Sequence, residues 1–296
     1  MGSEEIAKVH EGPNFLCIGM GKSWTGWLYD QLVMHPDFWM PPIKEIHYLD
    51  RENPKIRERR YLLLRRLRGG KTKRGRGRPN DRKNEIQFLE EVHAVRGQPM
   101  SLEFYASLFR FKGNLISGDV TPSYCAIPDD QIARIMARFP KLKIIMLLRD
   151  PVSRAISHLQ MWARGEKVSS EELQNLDKFL EFFKRSQVVR TGLPATFAKR
   201  WLNHVPKDQF SYHFFEDLQA NPEDVRRRIA DFLGADSSKD FGVDPHENRK
   251  VKPKAEISEA VTTFLIEQFS EELVGCAETF GGHAKTWPAK YGVKWP

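Results

Sequence analysis

A short apolar run from Phe15 to Ile18 gives way at Gly19 to a glycine-bearing turn. Trp24, Trp27, Leu28 and Leu32 then follow at helical spacing, so the segment reads as strand, loop and helix. A second short strand is expected over Phe38 to Met40, stopped by Pro41-Pro42, and further strands over Leu115 to Val120 and Lys143 to Leu148. The last of these is nearly continuous in apolar residues, the pattern of a strand covered on both faces. Asp150-Pro151 supplies an N-cap and a first-turn proline for a helix. Glu171 to Val189 and Phe197 to His204 read as helices, Phe210 to Phe215 as a last strand, and Pro222 to Leu233 as a helix closed by Gly234. Strands alternating with helices predict an α/β domain with a central, mostly parallel sheet flanked by helices.

Charge changes this reading at one place. Residues 51–83 hold 15 Lys or Arg against Glu52, Glu58 and Asp81, a local +12; the rest of the chain sums to −4, giving +8 overall. The expectation is therefore one domain over all 296 residues with a basic insertion or lid at about 51–110, whose core, KTKRGRGRPNDRK, is a glycine-rich loop. Cys17, Cys125 and Cys276 are odd in number and far apart, and read as reduced thiols. No run of 18 apolar residues occurs, and the opening residues lack the apolar stretch of a secretory signal, which points to the cytoplasm.

Candidate chemistry begins at Gly19-Met20-Gly21-Lys22-Ser23-Trp24-Thr25. At the carboxyl end of a parallel strand, a helix start aims N–H groups at anions, Lys22 adds a charge, and Ser23 and Thr25 add hydroxyl donors. A Walker A loop would need a glycine where Leu16 stands, and a dinucleotide fingerprint would need one where Trp24 stands. Taken alone, the loop also fits an incidental glycine turn. A second anion site is expected in KIIMLLRDPVSRAISHL, where Arg149 leaves a strand and Ser157 lies two helical turns on. Arg149 could instead pair with Asp150. In KEIHYLD, an extended backbone would point Glu45 and His47 the same way, although Glu45 could simply pair with Lys44.

Together these segments resemble the sulfotransferases that use 3′-phosphoadenosine 5′-phosphosulfate (PAPS). The first loop is similar to their Gly-x-x-Lys-[Ser/Thr]-Gly-Thr-[Thr/Ser] motif, with Trp24 and Gly26 as departures. The second is similar to their Leu-Arg-[Asn/Asp]-Pro-x-x-Arg-x-x-Ser motif. KEIHYLD resembles the Lys-Glu-x-His-Phe-Phe-Asp segment of the carbohydrate-type branch, including heparan sulfate 3-O-sulfotransferases. The resemblance runs from Phe15 to about Ser258, with 51–110 unmatched. It implies PAPS as donor, 3′-phosphoadenosine 5′-phosphate (PAP) as product, and no metal.

By the same resemblance, Gly21, Lys22, Ser23, Trp24, Thr25, Gly26 and Trp27 hold the 5′-phosphosulfate end, and Arg149 and Ser157 hold the 3′-phosphate. Arg249, Lys250 and Lys252 belong to a late basic loop over the donor, which also reads as a charged surface loop. Lys22 is the catalytic lysine, and Glu45 the base with His47 assisting. Lys44 and Asp50, with Thr121, Pro122 and Tyr124 of the GDVTPSY segment, fall on the acceptor side. The implied acceptor is a hydroxyl of a carbohydrate or small metabolite, with an anionic saccharide attracted by the basic insertion. Two other readings stand beside this one: an ATP-dependent kinase on the glycine loop, and DNA binding through Arg74-Gly75-Arg76-Gly77-Arg78-Pro79, which resembles an AT-hook.

Overall fold

The computed structural model describes residues 11–50, 62–63, 65, 82–94, 101–186, 192–247 and 254–295. Four parallel strands, β1 (Phe15–Gly19), β2 (Gly118–Val120), β3 (Lys143–Leu148) and β4 (Phe210–Phe214), form a sheet in the order β2-β1-β3-β4. Every residue of β1 is buried, because helices cover both faces. Alternate side chains divide between two cores. Leu16, Ile18, Ile144, Met146 and Leu148 face one side; Phe15, Cys17, Ile145 and Leu147 face the other.

The second face is closed by α1 (Thr25–Met34), through Trp27, Leu28 and Leu32, and by a later helix spanning Pro222–Leu233. On the first face the chain adds α2 (Arg82–Ala94), α3 (Leu102–Ser107), α4 (Asp129–Arg138) and α5 (Pro151–Arg164). α6 (Ser170–Gln174), α7 (Leu176–Arg185) and α8 (Pro194–Leu202) follow. After β4 come α9 (Phe215–Ala220), α10 (the Pro222–Leu233 helix), α11 (Glu259–Phe280) and α12 (Trp287–Lys290). None of the described helices is long and apolar enough to cross a membrane.

Local chemistry sets the helix ends. Asp150 caps α5 by accepting from Ser153 N–H at 2.7 Å, with Pro151 at the first helical position. Asn221 caps α10, and Gly234 ends it in the left-handed region at φ 88°.

Several expectations are corrected. Phe38–Met40 is not a strand: Pro41-Pro42 stop the pairing after a single bridge from Phe38 to Ile116. The Leu115 to Val120 strand shrinks to Gly118–Val120, since Ile116 instead exchanges backbone bonds with Asp37 and Trp39. The helix expected from Glu171 breaks at Asn175, whose side chain accepts from Lys178 N–H and starts α7. Within residues 51–110, α2 and α3 pack into the core through Phe88, Leu89 and Val92 of α2 and Tyr105 of α3, which are buried. The basic loop, with the AT-hook-like run at 74–79, lies outside the described residues. The three cysteines are buried free thiols; burial pushes Cys17 and Cys125 up to about 12.

Candidate active site

β2 joins one side of β1 and β3 joins the other, so the direction of chain progress reverses between β1 and β3. Crevices at the carboxyl ends of such strands are where open α/β sheets bind ligands. A cleft of about 770 Å³ opens there. Gly21, Lys22, Trp24, Thr25, Gly26 and Trp27 line it from the loop after β1 and the start of α1. Arg149, Arg154, Ser157, His158, Met161 and Arg164 line it from the end of β3 and along α5. Lys44, Glu45 and His47 form a third wall.

The loop after β1 is tightly wound: Lys22 and Trp24 both take left-handed backbone, at φ 73° and 64°. Non-glycine residues hold that conformation only where their surroundings compensate. For Trp24 the compensation is visible, since its ring packs edge-on against Phe215 at 5.2 Å between centroids. Ser23 is fully buried, does not line the cleft, and its hydroxyl has no hydrogen-bond partner among the described residues. Trp27 donates its indole N–H to the Pro245 carbonyl at 2.7 Å.

Arg149 connects the end of β3 with the loop after β1, donating from Nη1 to the Lys22 carbonyl at 3.1 Å. Its guanidinium lies 4.4 Å above the Phe215 ring, and its buried Nε has no hydrogen-bond partner among the described residues. No ion pair joins it to Asp150 among the described residues. Arg154 is 1% exposed, and burial draws its affinity for a proton down to about 10. Burial, followed by the charges of Arg154 and Lys22, drives His158 down to about 3, so that imidazole is neutral.

KEIHYLD is not extended. Glu45 and His47 sit at φ 65° and 52°, because tertiary bonds override the expected strand geometry. Ile46 N–H reaches Asp119 Oδ1 at 3.4 Å, and the Tyr124 hydroxyl accepts from the N–H groups of Tyr48 and Leu49 at 3.0 and 3.3 Å. Glu45 and His47 still converge: Glu45 Oε2 lies 3.5 Å from His47 Nε2, and Lys44 Nζ lies 2.5 Å from Glu45 Oε1. Asp50 meets His47 Nδ1 at 2.9 Å, and Ser123 donates its hydroxyl to Asp50. Burial disfavours charge on both groups, yet the pairings win. The Glu45 carboxyl is held at about 2 by His47 and Lys44, and His47 is raised to about 9 by Asp50 and Glu45.

The acceptor-side expectations divide. Lys44 and Pro122 line the cleft, whereas Asp50 does not but contacts His47, which does. Thr121 and Tyr124 are corrected: both are completely buried and donate their hydroxyls to Asp119, at 2.7 and 2.8 Å. Tyr105 adds a third donor at 3.1 Å, which satisfies the buried Asp119. Arg249, Lys250 and Lys252 lie outside the described residues. Sequence reasoning did not assign Asp30, Ser123, Arg154, His158, Met161, Arg164 or Glu247, all of which line the cleft. Ser157, His158, Met161 and Arg164 recur at helical intervals, and with Arg154 they define one face of α5. That periodicity was the available signal.

The family model described as the sulfotransferase domain matches residues 13–250. The chain belongs to the sulfotransferase family. It is 34% identical over 165 residues to heparan sulfate glucosamine 3-O-sulfotransferase 3B1 of Mus musculus, covering 50% of this chain and 42% of that protein. It is 24% identical over 258 residues to carbohydrate sulfotransferase 15 of Rattus norvegicus, covering 75% of this chain and 43% of that one. The chain thus spans less than half the length of these curated relatives. Among solved structures, a sulfotransferase from Alicyclobacillus acidocaldarius superposes with a TM-score of 0.57 at 22% identity, covering 96% of this chain and 97% of that one. The sulfotransferase domain from the curacin biosynthetic pathway superposes with a TM-score of 0.53 at 15% identity, over 96% and 99%. Those likenesses establish the sulfotransferase fold.

Proposed function

We propose that this chain is a PAPS-dependent O-sulfotransferase acting on a hydroxyl of a carbohydrate or small hydroxylated metabolite. The observation that carries this reading is the joining of Lys22 and Arg149 in one cleft through a direct contact. The cleft also suits a multiply charged anion: five Lys or Arg line it against Asp30, Glu45 and Glu247. Arg149 Nε is a buried donor of a cleft-lining residue without a hydrogen-bond partner among the described residues, as expected of a group that a ligand completes.

PAPS, when bound, supplies a sulfuryl group on an activated phosphosulfate. Lys22 and the start of α1 would hold its 5′ end, and Arg149 with Ser157 its 3′-phosphate. Lys22 also places a positive charge where negative charge grows during transfer. His47 carries protons on both ring nitrogens at neutral pH, so the Glu45 carboxylate is the group able to take the acceptor's hydroxyl proton. Its paired state makes it a weak base, and drawing Lys44 away from it would strengthen it. The Asp50–His47 contact fixes the imidazolium that orients Glu45.

The carbohydrate acceptor is supported by KEIHYLD and by the names of the relatives. The test is sulfuryl transfer from labelled PAPS to a panel of sugars and small alcohols. Lys22→Ala and Glu45→Gln are expected to lower kcat at least 100-fold, the usual scale for charge stabilisation and general base catalysis. Full turnover in either variant would remove that residue from the mechanism.

A further inference from the structure

Two carboxylates act on Arg149 through their charge, its neighbour Asp150 and Glu216 at the start of α9. Either could neutralise it and take the place of an incoming phosphate. Asp150 does not, because it is engaged by the last described stretch of the chain, which also holds one oxygen of Glu216 and leaves Glu216 Oε2 without a hydrogen-bond partner among the described residues. Tyr291 donates its hydroxyl to Asp150 Oδ1 at 2.7 Å, and Lys290 Nζ reaches Asp150 Oδ2 at 3.0 Å. Trp287 donates its indole N–H to Glu216 Oε1 at 2.8 Å. The Ser153 backbone N–H is a second donor to Asp150 Oδ1, so this 2%-exposed carboxylate holds three donors, none of them from Arg149.

This stretch lies beyond residue 250, where the match to the family model ends. It is anchored independently of Lys290 and Tyr291. Trp287 is 1% exposed, Tyr212 donates to the Phe280 carbonyl at 3.0 Å, and His283 meets Asp217 at 2.9 Å. Lys290 itself is half exposed, so its contribution is directional more than cohesive.

From this arrangement we infer that residues 287–291 form a latch that sequesters the Asp150 carboxylate beside Arg149 and keeps the guanidinium available for the donor's 3′-phosphate. Lys290 and Tyr291 are positioning residues acting through Asp150. The inference rests on the PAPS reading of the cleft. It also explains why an acidic residue is tolerated beside the phosphate-gripping arginine: an asparagine there, which the motif equally allows, would cap α5 without bringing a charge.

The test measures PAP binding calorimetrically in the whole protein, alongside the melting temperature without ligand. The Lys290→Met, Tyr291→Phe double variant is expected to bind PAP about tenfold more weakly, the scale of one newly uncompensated charge near a phosphate. Its saturated kcat should be unchanged, since Arg149 grips the donor without taking part in proton transfer, while its ligand-free melting temperature should fall by a few degrees because the buried Asp150 loses two of its three donors. Adding Asp150→Asn to that double variant is expected to restore PAP affinity, because the competing charge is gone. A merely structural latch would not be rescued by removing its partner. Equal affinity in wild type and double variant, or a loss that Asp150→Asn does not restore, overturns the latch. Failure of the wild type to bind PAP is a different result: it overturns the donor assignment, and the latch with it.

Discussion

At the scale of single residues, the site is built from strained positions. Four of the five non-glycine residues at positive φ among the described residues are Lys22, Trp24, Glu45 and His47, all of which line the cleft. The Glu45–His47 pair links this geometry to stability. His47 has an ordinary value near 6.5 and is raised to about 9 in the fold, so its protonation stabilises the folded state. That contribution is fully present below about pH 6.5 and is lost as pH rises through 9. Glu45 behaves oppositely: its contribution is present above about 4.5 and is lost as pH falls toward 2. Denaturant unfolding of wild type and His47→Gln is expected to differ by roughly 2 kcal/mol at pH 6, with the gap closing by pH 9.5. A difference that stays constant across that range would show that His47 is not charged in the fold.

Among elements, the parts of the chain with a local cause were legible and those with a distant cause were not. β3 could be read because KIIMLL is covered on both faces, and the start of α5 because Asp150-Pro151 carries its own cap and first turn. Helix α11 was not assigned, although Val261, Leu265, Phe269, Leu273, Cys276 and Phe280 recur at helical intervals behind the N-cap Ser258. The backbone of KEIHYLD could not have been read, since partners more than 70 residues away, Asp119 and Tyr124, impose its turns. Of the residues the motifs named, Gly21, Lys22, Trp24 to Trp27, Lys44, Glu45, His47, Pro122, Arg149 and Ser157 line the cleft, whereas Ser23 is buried away from it and the buried hydroxyls of Thr121 and Tyr124 build this support. Gly118 offers a test of how rigid the sheet beneath the site is. A Cβ there would lie 2.4 Å from the Phe15 carbonyl oxygen and 2.5 Å from its ring, against a central strand with no room to move. Gly118→Ala should cost about 3 kcal/mol by overpacking, read as a lowered denaturant midpoint. Gly165→Ala, whose nearest neighbour would be 3.6 Å away, is the control and should change stability by less than about 0.5 kcal/mol. Equal effects would mean that β1 and β2 can separate.

For the whole molecule, the cleft is closed by segments far apart in sequence: the loop after β1, residues 44–47, and α5. Lys22, Arg149 and Arg154 stand on two of these walls, and their charges oppose one another: Arg149 weakens the hold of Arg154 on its proton, and Arg154 and Lys22 weaken that of His158. A dianionic or trianionic ligand spanning the walls would relieve that opposition and tie the segments together, so its binding must appear as resistance to unfolding. At 100 times its Kd, PAP should add about 2.7 kcal/mol, a shift of several degrees in Tm. Adenosine, which lacks the phosphates, should give little shift at the same concentration, and added salt should shrink the PAP effect because the interaction is between charges. ATP with Mg²⁺ carries a comparable charge on a triphosphate, which the short turn between Gly19 and Thr25 is too small to wrap. It should stabilise the protein less than PAP does. Stabilisation by ATP with Mg²⁺ and none by PAP would mean that Lys22 and Arg149 serve one polyphosphate and not the two ends of an adenosine nucleotide, and the assignment of the cleft would have to be abandoned.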